Sequence, residues 1–141
     1  VRDMKVVYVA GPFRAKSQYM EGQQDCWEIQ KNVMAAMALA LEVWRLGAAA
    51  VCPHANTMFF QNAAKDEVWL DGDLAILAKC DALMMTPDWR RSSGARAEHD
   101  FAEARGMRIF YDLPTLEQWL HQPDYSRPQV VDAQGNMITG P

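Results

Sequence analysis

Five consecutive apolar residues, Val6-Val-Tyr-Val-Ala10, run directly into Gly11-Pro12. A run this short, stopped by turn residues, reads as a strand buried on both faces. Such a strand constrains the fold strongly, because both of its faces need a covering layer. Comparable runs recur from Ala48 to Cys52, stopped by Pro53, from Asp81 to Met85, and from Met107 to Tyr111. Helical patterns lie between them. From Gly22 to Gly47 the apolar residues Trp27, Met34, Met37, Leu41 and Trp44 follow at spacings of seven, three, four and three, the mark of an amphipathic helix closed by a glycine. Further helical patterns cover Ala64 to Lys79, Ser93 to Arg105 and Pro114 to His121.

Strands and helices alternating through short connections predict an α/β fold with a parallel sheet covered by helices on both faces. Four parallel strands, or five, would make a flavodoxin-like three-layer sandwich. Sheets of this kind bind ligands beyond the carboxyl ends of their strands, where the strand order reverses. The loops after Ala10, Cys52 and Met85 should therefore converge. With 141 residues, half of them hydrophobic and 23% charged, the chain suits one domain, expected over residues 1–122. The segment 123–141 carries proline, glycine and polar residues with little core material, and is expected to be mobile or to pack on a partner subunit.

Composition narrows the partners. A net charge of −4 and a pI near 5.3 lack the basic footprint that a binder of long nucleic acid needs. No apolar stretch is long enough to span a membrane, and no secretory signal pattern opens the sequence, so a cytoplasmic chain is expected. Cys26, Cys52 and Cys80 show neither C-x-x-C pairing nor histidines at ligand spacing. They read as reduced, mostly packed thiols, with no metal site expected.

Several residues break the pattern. Glu98 shares a helix face with Ala95, Phe101 and Ala102, so its carboxylate should point inward, where it must be paired or hold a shifted pKa. A buried ion pair with Arg14 or Arg96 is the structural alternative. Asp73, flanked at helical spacing by Trp69, Leu70, Ile76 and Leu77, is a second inward acid, unless it merely caps a break at Gly72. Two carboxylates converging on a cleft suit glycosyl transfer chemistry. Tyr8 lies within the first strand, and its hydroxyl needs a partner that these acids can supply. Gly11-Pro12-Phe13-Arg14 offers close backbone approach and a phosphate-binding guanidinium, or simply an ordinary turn. In Arg90-Arg91-Ser92-Ser93-Gly94 two hydroxyls and backbone N–H groups lie at the start of the Glu98 helix, where caps form and anions bind. His54 lies at the same sheet edge, where it either touches ligand or, as a lone loop histidine, serves the structure. His99 and His121 read as surface positions, and Phe13, Trp69 and Trp89 either wall a base pocket or belong to the core.

The ordered set Tyr8-Val-Ala-Gly-Pro-Phe-Arg14, Gly72-Asp73-Leu74 and Ser92-Ser-Gly94-Ala-Arg-Ala-Glu98 resembles the nucleoside 2-deoxyribosyltransferase superfamily. The likeness spans about Lys5 to Tyr111 and is nearest to the hydrolytic branch, the 2'-deoxynucleoside 5'-phosphate N-hydrolases. It implies a flavodoxin-like sandwich that cleaves N-glycosidic bonds, with a small-molecule nucleotide as substrate and no cofactor. Glu98 would be the nucleophile or carbocation stabiliser at the anomeric carbon. Asp73 would bind the sugar hydroxyl or help activate the acceptor, and Tyr8 would hold the glutamate or the sugar. Arg14 and Ser92 stand at the phosphate-binding positions. Members of the superfamily often complete the site from a neighbouring subunit, which implies a homodimer or a higher homo-oligomer. Two departures bear on the substrate. Ser92 replaces the aspartate with which transferases contact the base, favouring hydrolysis over base exchange, and Arg96 stands where a second glycine is usual. Base exchange on deoxyribose and non-catalytic nucleotide binding are the competing expectations.

Overall fold

The computed structural model describes residues 4–15, 24–122 and 133–135. Strands β1 (Val6–Ala10), β2 (Ala49–Val51), β3 (Ala82–Met85) and β4 (Arg108–Phe110) form an all-parallel sheet in the order β2-β1-β3-β4. Tyr8 stands opposite Val51 on one side and Leu83 on the other, and Ala10 stands opposite Met85. The connections are α1 (Cys26–Arg45), the single turn α2 (Pro53–Asn56), α3 (Asp66–Leu77), α4 (Ser93–Ala104) and α5 (Leu113–Leu120). Each expected strand is present, β1 with the expected bounds and the other three shorter by one residue or two in all. No fifth strand occurs among the described residues, and residues 123–132 and 136–141 of the segment expected to be mobile or partner-bound lie outside them.

Alternation along the strands sorts the core into two layers. Val7, Val9, Ala82 and Met84 point to one face and pack with Ala40 and Val43 of α1 and Leu116 of α5. Tyr8, Ala10, Leu83 and Met85 point to the other and pack with Leu77 of α3 and Ala95 and Ala102 of α4. The architecture is a three-layer sandwich of the flavodoxin type. Strand order reverses between β1 and β3, so the site-bearing loops belong beyond Ala10 and Met85.

Helix α1 forms as expected but presents a different face to the sheet. The Asp25 carboxylate caps it by accepting from the backbone N–H groups of Trp27 and Glu28, and Gly47, at φ 96°, follows its end. Its buried residues are Ile29, Asn32, Val33, Ala36, Ala40 and Val43, whereas Trp27, Met34, Met37, Leu41 and Trp44, which carry the apolar periodicity, are exposed. The small and β-branched side chains let the helix lie close to the sheet, and the large ones are left outward. A second difference concerns His99, which is buried rather than on the surface.

Two glycines test this packing in opposite directions. A Cβ on Gly11 would stand 2.5 Å from both Cγ2 and Oγ1 of Thr86, so the ends of β1 and β3 can meet only without a side chain there. A Cβ on Gly72, inside α3, would meet nothing within 4 Å. In urea titrations, Gly11→Ala is expected to lose about 1–3 kcal/mol by overpacking. Gly72→Ala should gain up to about 1 kcal/mol through helix propensity.

Candidate functional site

Helix α4 is capped by Ser92, whose Oγ accepts from the Ala95 backbone N–H at 3.2 Å. The helix faces the sheet with Ala95 and Ala102, and that register carries Glu98 inward to 9% exposure. Its partner there is a hydroxyl rather than an arginine: the wholly buried Tyr8 donates from its OH to Oε2 of Glu98. Arg14 instead pairs with Asp66 in the first turn of α3. Asp73 lies in an α3 that runs unbroken through Gly72, so it is not a cap, and it is half-buried. Three side chains from β1, α3 and α4 are thus brought together on one face of the sheet.

Their electrostatics follow from burial. Glu98 is pushed up to about 7, first by desolvation, with the Tyr8 hydrogen bond pulling it back and the Asp73 charge pushing it further up. Burial alone takes Asp73 to about 6. The Tyr8 hydroxyl is driven far above its ordinary value by burial and then by the charge of Glu98, so it stays protonated and remains a donor. Near neutral pH both carboxyls populate acid and base forms, as a proton-handling pair requires.

The loop after β1 is fixed through its own backbone. The Nε2 of His54 lies 3.0 Å from the Gly11 carbonyl oxygen and 2.9 Å from that of Pro12, so this nitrogen carries the proton and donates. Asn32 on α1 donates from Nδ2 to the carbonyls of Phe13 and Arg14, at 3.1 and 3.2 Å. The Ala15 N–H donates to Oε1 of Gln24 at 2.6 Å. Asn32 is itself held by Nη2 of Arg91, which donates to its Oδ1 at 3.0 Å, while Nε of Arg91 donates to Asp88 at 3.0 Å. Four successive carbonyls are therefore held by two side chains from other elements.

His54, expected within reach of a ligand, lies buried beneath the loop with Phe13 edge-on at 5.7 Å, and burial lowers its pKa. Asn32 and Gln24 were not singled out by the sequence, which marked Arg91 only as part of the stretch ahead of the Glu98 helix. Asn32 had a signal, as the polar residue among Ile29, Val33 and Ala36 on the inward face of α1. A Cβ on Gly94 would meet Ser92 Oγ at 3.8 Å and Leu70 Cδ2 at 4.0 Å, ordinary contacts, so packing does not demand this glycine. Of the three aromatic candidates, Trp89 is core, stacked on His99 with centroids 4.3 Å apart. The His99 Nε2 in turn lies 2.7 Å from the Tyr111 hydroxyl, which explains its burial. Trp69 packs on Phe60 and keeps a buried Nε1 without a hydrogen-bond partner.

A carboxyl whose pKa rises on folding stabilises the fold fully below its unfolded value and loses that contribution as pH rises through the folded value. For Glu98 the window runs from about 4.5 to about 7. Glu98→Gln is therefore expected to be more stable than the parent at pH 8, by up to about 3 kcal/mol, with the difference vanishing near pH 4. Urea unfolding at the two pH values checks it.

No curated protein matches the chain. A family model does: residues 5–111, from just before β1 to just after β4, match the family described as a domain of unknown function, DUF4406. By that match, which takes in every residue of the Tyr8, Asp73 and Glu98 cluster and the loop beside it, the chain belongs to the DUF4406 family.

Proposed function

We propose that the chain hydrolyses the N-glycosidic bond of a nucleoside 5'-monophosphate, releasing free base and sugar 5-phosphate. The observation that carries this reading is the buried Glu98, coupled to Asp73 and held by Tyr8 of β1, one of the two strands between which the order reverses. The resemblance of the same residues to the hydrolytic branch of the deoxyribosyltransferase superfamily points the same way. In this reading the C1'–N bond breaks with its electron pair going to the base nitrogen. A Glu98 oxygen bonds to C1', or faces its developing positive charge. Water then supplies the oxygen that bonds to C1', any C1'–Glu98 bond breaking with its electron pair returning to the carboxylate, and the proton that water gives up passes by way of the carboxyls to the released base.

The elements around the acids suit a phosphate at the other end of the substrate. Ser92 lies six residues before Glu98, about 9 Å along a helix. Its Oγ uses a lone pair for the Ala95 N–H, so its own proton is free to donate outward, at a helix end whose dipole favours anions. Arg14 is solvent-exposed in its pair with Asp66, and an exposed pair of this kind gives way to a phosphate at little cost. Tyr8 acts as a positioning residue for Glu98 and, by its hydrogen bond, keeps the carboxyl from rising further.

The test is incubation with ribo- and deoxyribonucleoside 5'-monophosphates and the matching nucleosides, with free base measured by chromatography. Base release from monophosphates that is lost in Glu98→Ala, with the variant still folded by circular dichroism, is the expected result. Retention of activity by that variant overturns the mechanism, and appearance of a new nucleoside when a second base is supplied converts hydrolysis into transfer. Arg14→Ala should raise KM for monophosphates more than for nucleosides. Because Glu98 must be ionised to attack, kcat should climb with pH through about 7, and Tyr8→Phe should move that limb to higher pH.

A further inference from the structure

Helix α1 has two apolar stripes, and the sheet uses only one. The outward stripe comprises Trp27, Met34, Met37, Leu41 and Trp44, with exposures of 64%, 58%, 39%, 49% and 53%. Scattered exposed hydrophobics need no explanation, but these five are contiguous on one helix. Together they leave on the order of 500 Å² of apolar surface in water, as large as the patches that mark interaction sites.

Their spacing says what kind of surface covers them. Trp27, Met34 and Leu41 fall at successive heptad a positions, and Met37 and Trp44 at the following d positions, with Gln30 at the remaining d. This is the seam by which one helix packs along another. Five of the six seam positions are apolar, with a tryptophan at each end and two methionines at the centre, and only the match of Gln30 with Leu41 departs from that symmetry. An antiparallel copy therefore sets Trp27 against Trp44, Met34 against Met37 and Gln30 against Leu41, each pair occurring twice. That reciprocity is the requirement of a two-fold interface, and it also opposes the two helix dipoles.

We propose that the outward face of α1 is the contact surface for a second copy of this chain, packed antiparallel about a two-fold axis between Met34 and Met37. The area fits: the stripe supplies roughly two thirds of the ~800 Å² that each partner contributes to a standard interface. The exposed flanking residues Lys31, Ala38 and Arg45 supply a rim, and Arg45 already has its charge met by Glu42 at 2.7 Å. The segment 123–141 is a poorer occupant, since its three prolines and few apolar residues cannot repeat a heptad pattern. The proposal does not depend on the reaction assigned to Glu98.

Light scattering after size-exclusion chromatography of the full chain tests it. The expected mass is twice the 16.0 kDa of one chain, falling to a single chain in the double variant Met34→Glu/Leu41→Glu. Both positions are exposed, so the variant should keep its far-ultraviolet circular dichroism and its melting temperature at low protein concentration. Dilution of the parent should shift tryptophan emission to the red as Trp27 and Trp44 enter water, a shift absent from the variant. A single-chain mass for the parent overturns the proposal, as does a folded variant that remains paired.

Discussion

One hydrogen bond ties the central strand to the helix that lies over it. Tyr8 rises from β1 into the layer below α3 and α4, wholly buried, and its hydroxyl meets Glu98. Burying a carboxyl without a donor costs several kcal/mol, so the position of Glu98 depends on this one hydroxyl. The strand supplying it is one of the two central strands, paired on both sides and covered on both faces. Asp73 adds a second charge from α3 that neither partner can escape. Destabilised carboxyls of this sort persist only where rigid elements hold them, and here three elements do so.

The loop after β1 achieves rigidity by another route. It has no ladder to satisfy its carbonyls, so His54 and Asn32 act as the donors that a neighbouring strand would have been. Asn32 belongs to α1, whose remaining inward residues are apolar apart from this one. The same helix therefore fixes the loop on one side and carries a water-exposed apolar seam on the other. Gly11 closes the arrangement by letting Thr86 reach the backbone at the sheet edge.

The four strands were readable because each is a short, largely apolar run, with Arg108 of β4 the one charged residue within them, a signal that survives without tertiary information. Glu98 was readable for the opposite reason, as a charge on an otherwise apolar helix face, and so was the need of the Tyr8 hydroxyl for an acid. The burial of α1 was not. Periodicity gives weight to large side chains, whereas the sheet admitted alanine and valine, and a helix apolar on two sides does not declare which side is covered. The partners of His54 and Asn32 were hidden for a different reason: they are backbone carbonyls, which leave no trace in residue identities. The pairing of Arg14 with Asp66, 52 residues away, was equally invisible, since it depends on where α3 starts in space.

The three thiols differ in a way that has a practical consequence. Cys52 is half-buried, with its pKa raised chiefly by burial, and Cys80 is half-buried with its thiol pushed up to about 11. Cys26 is exposed, at the first turn of α1 and next to Trp27. Alkylating reagents consume thiolates that solvent can reach, so a maleimide or nitroxide reagent at mildly alkaline pH will discriminate strongly in favour of Cys26. The unaltered chain thereby offers a near-unique attachment point for a spin or fluorescent label, and distances or mobility recorded there would report on the surroundings of the α1 amino terminus without any engineered cysteine.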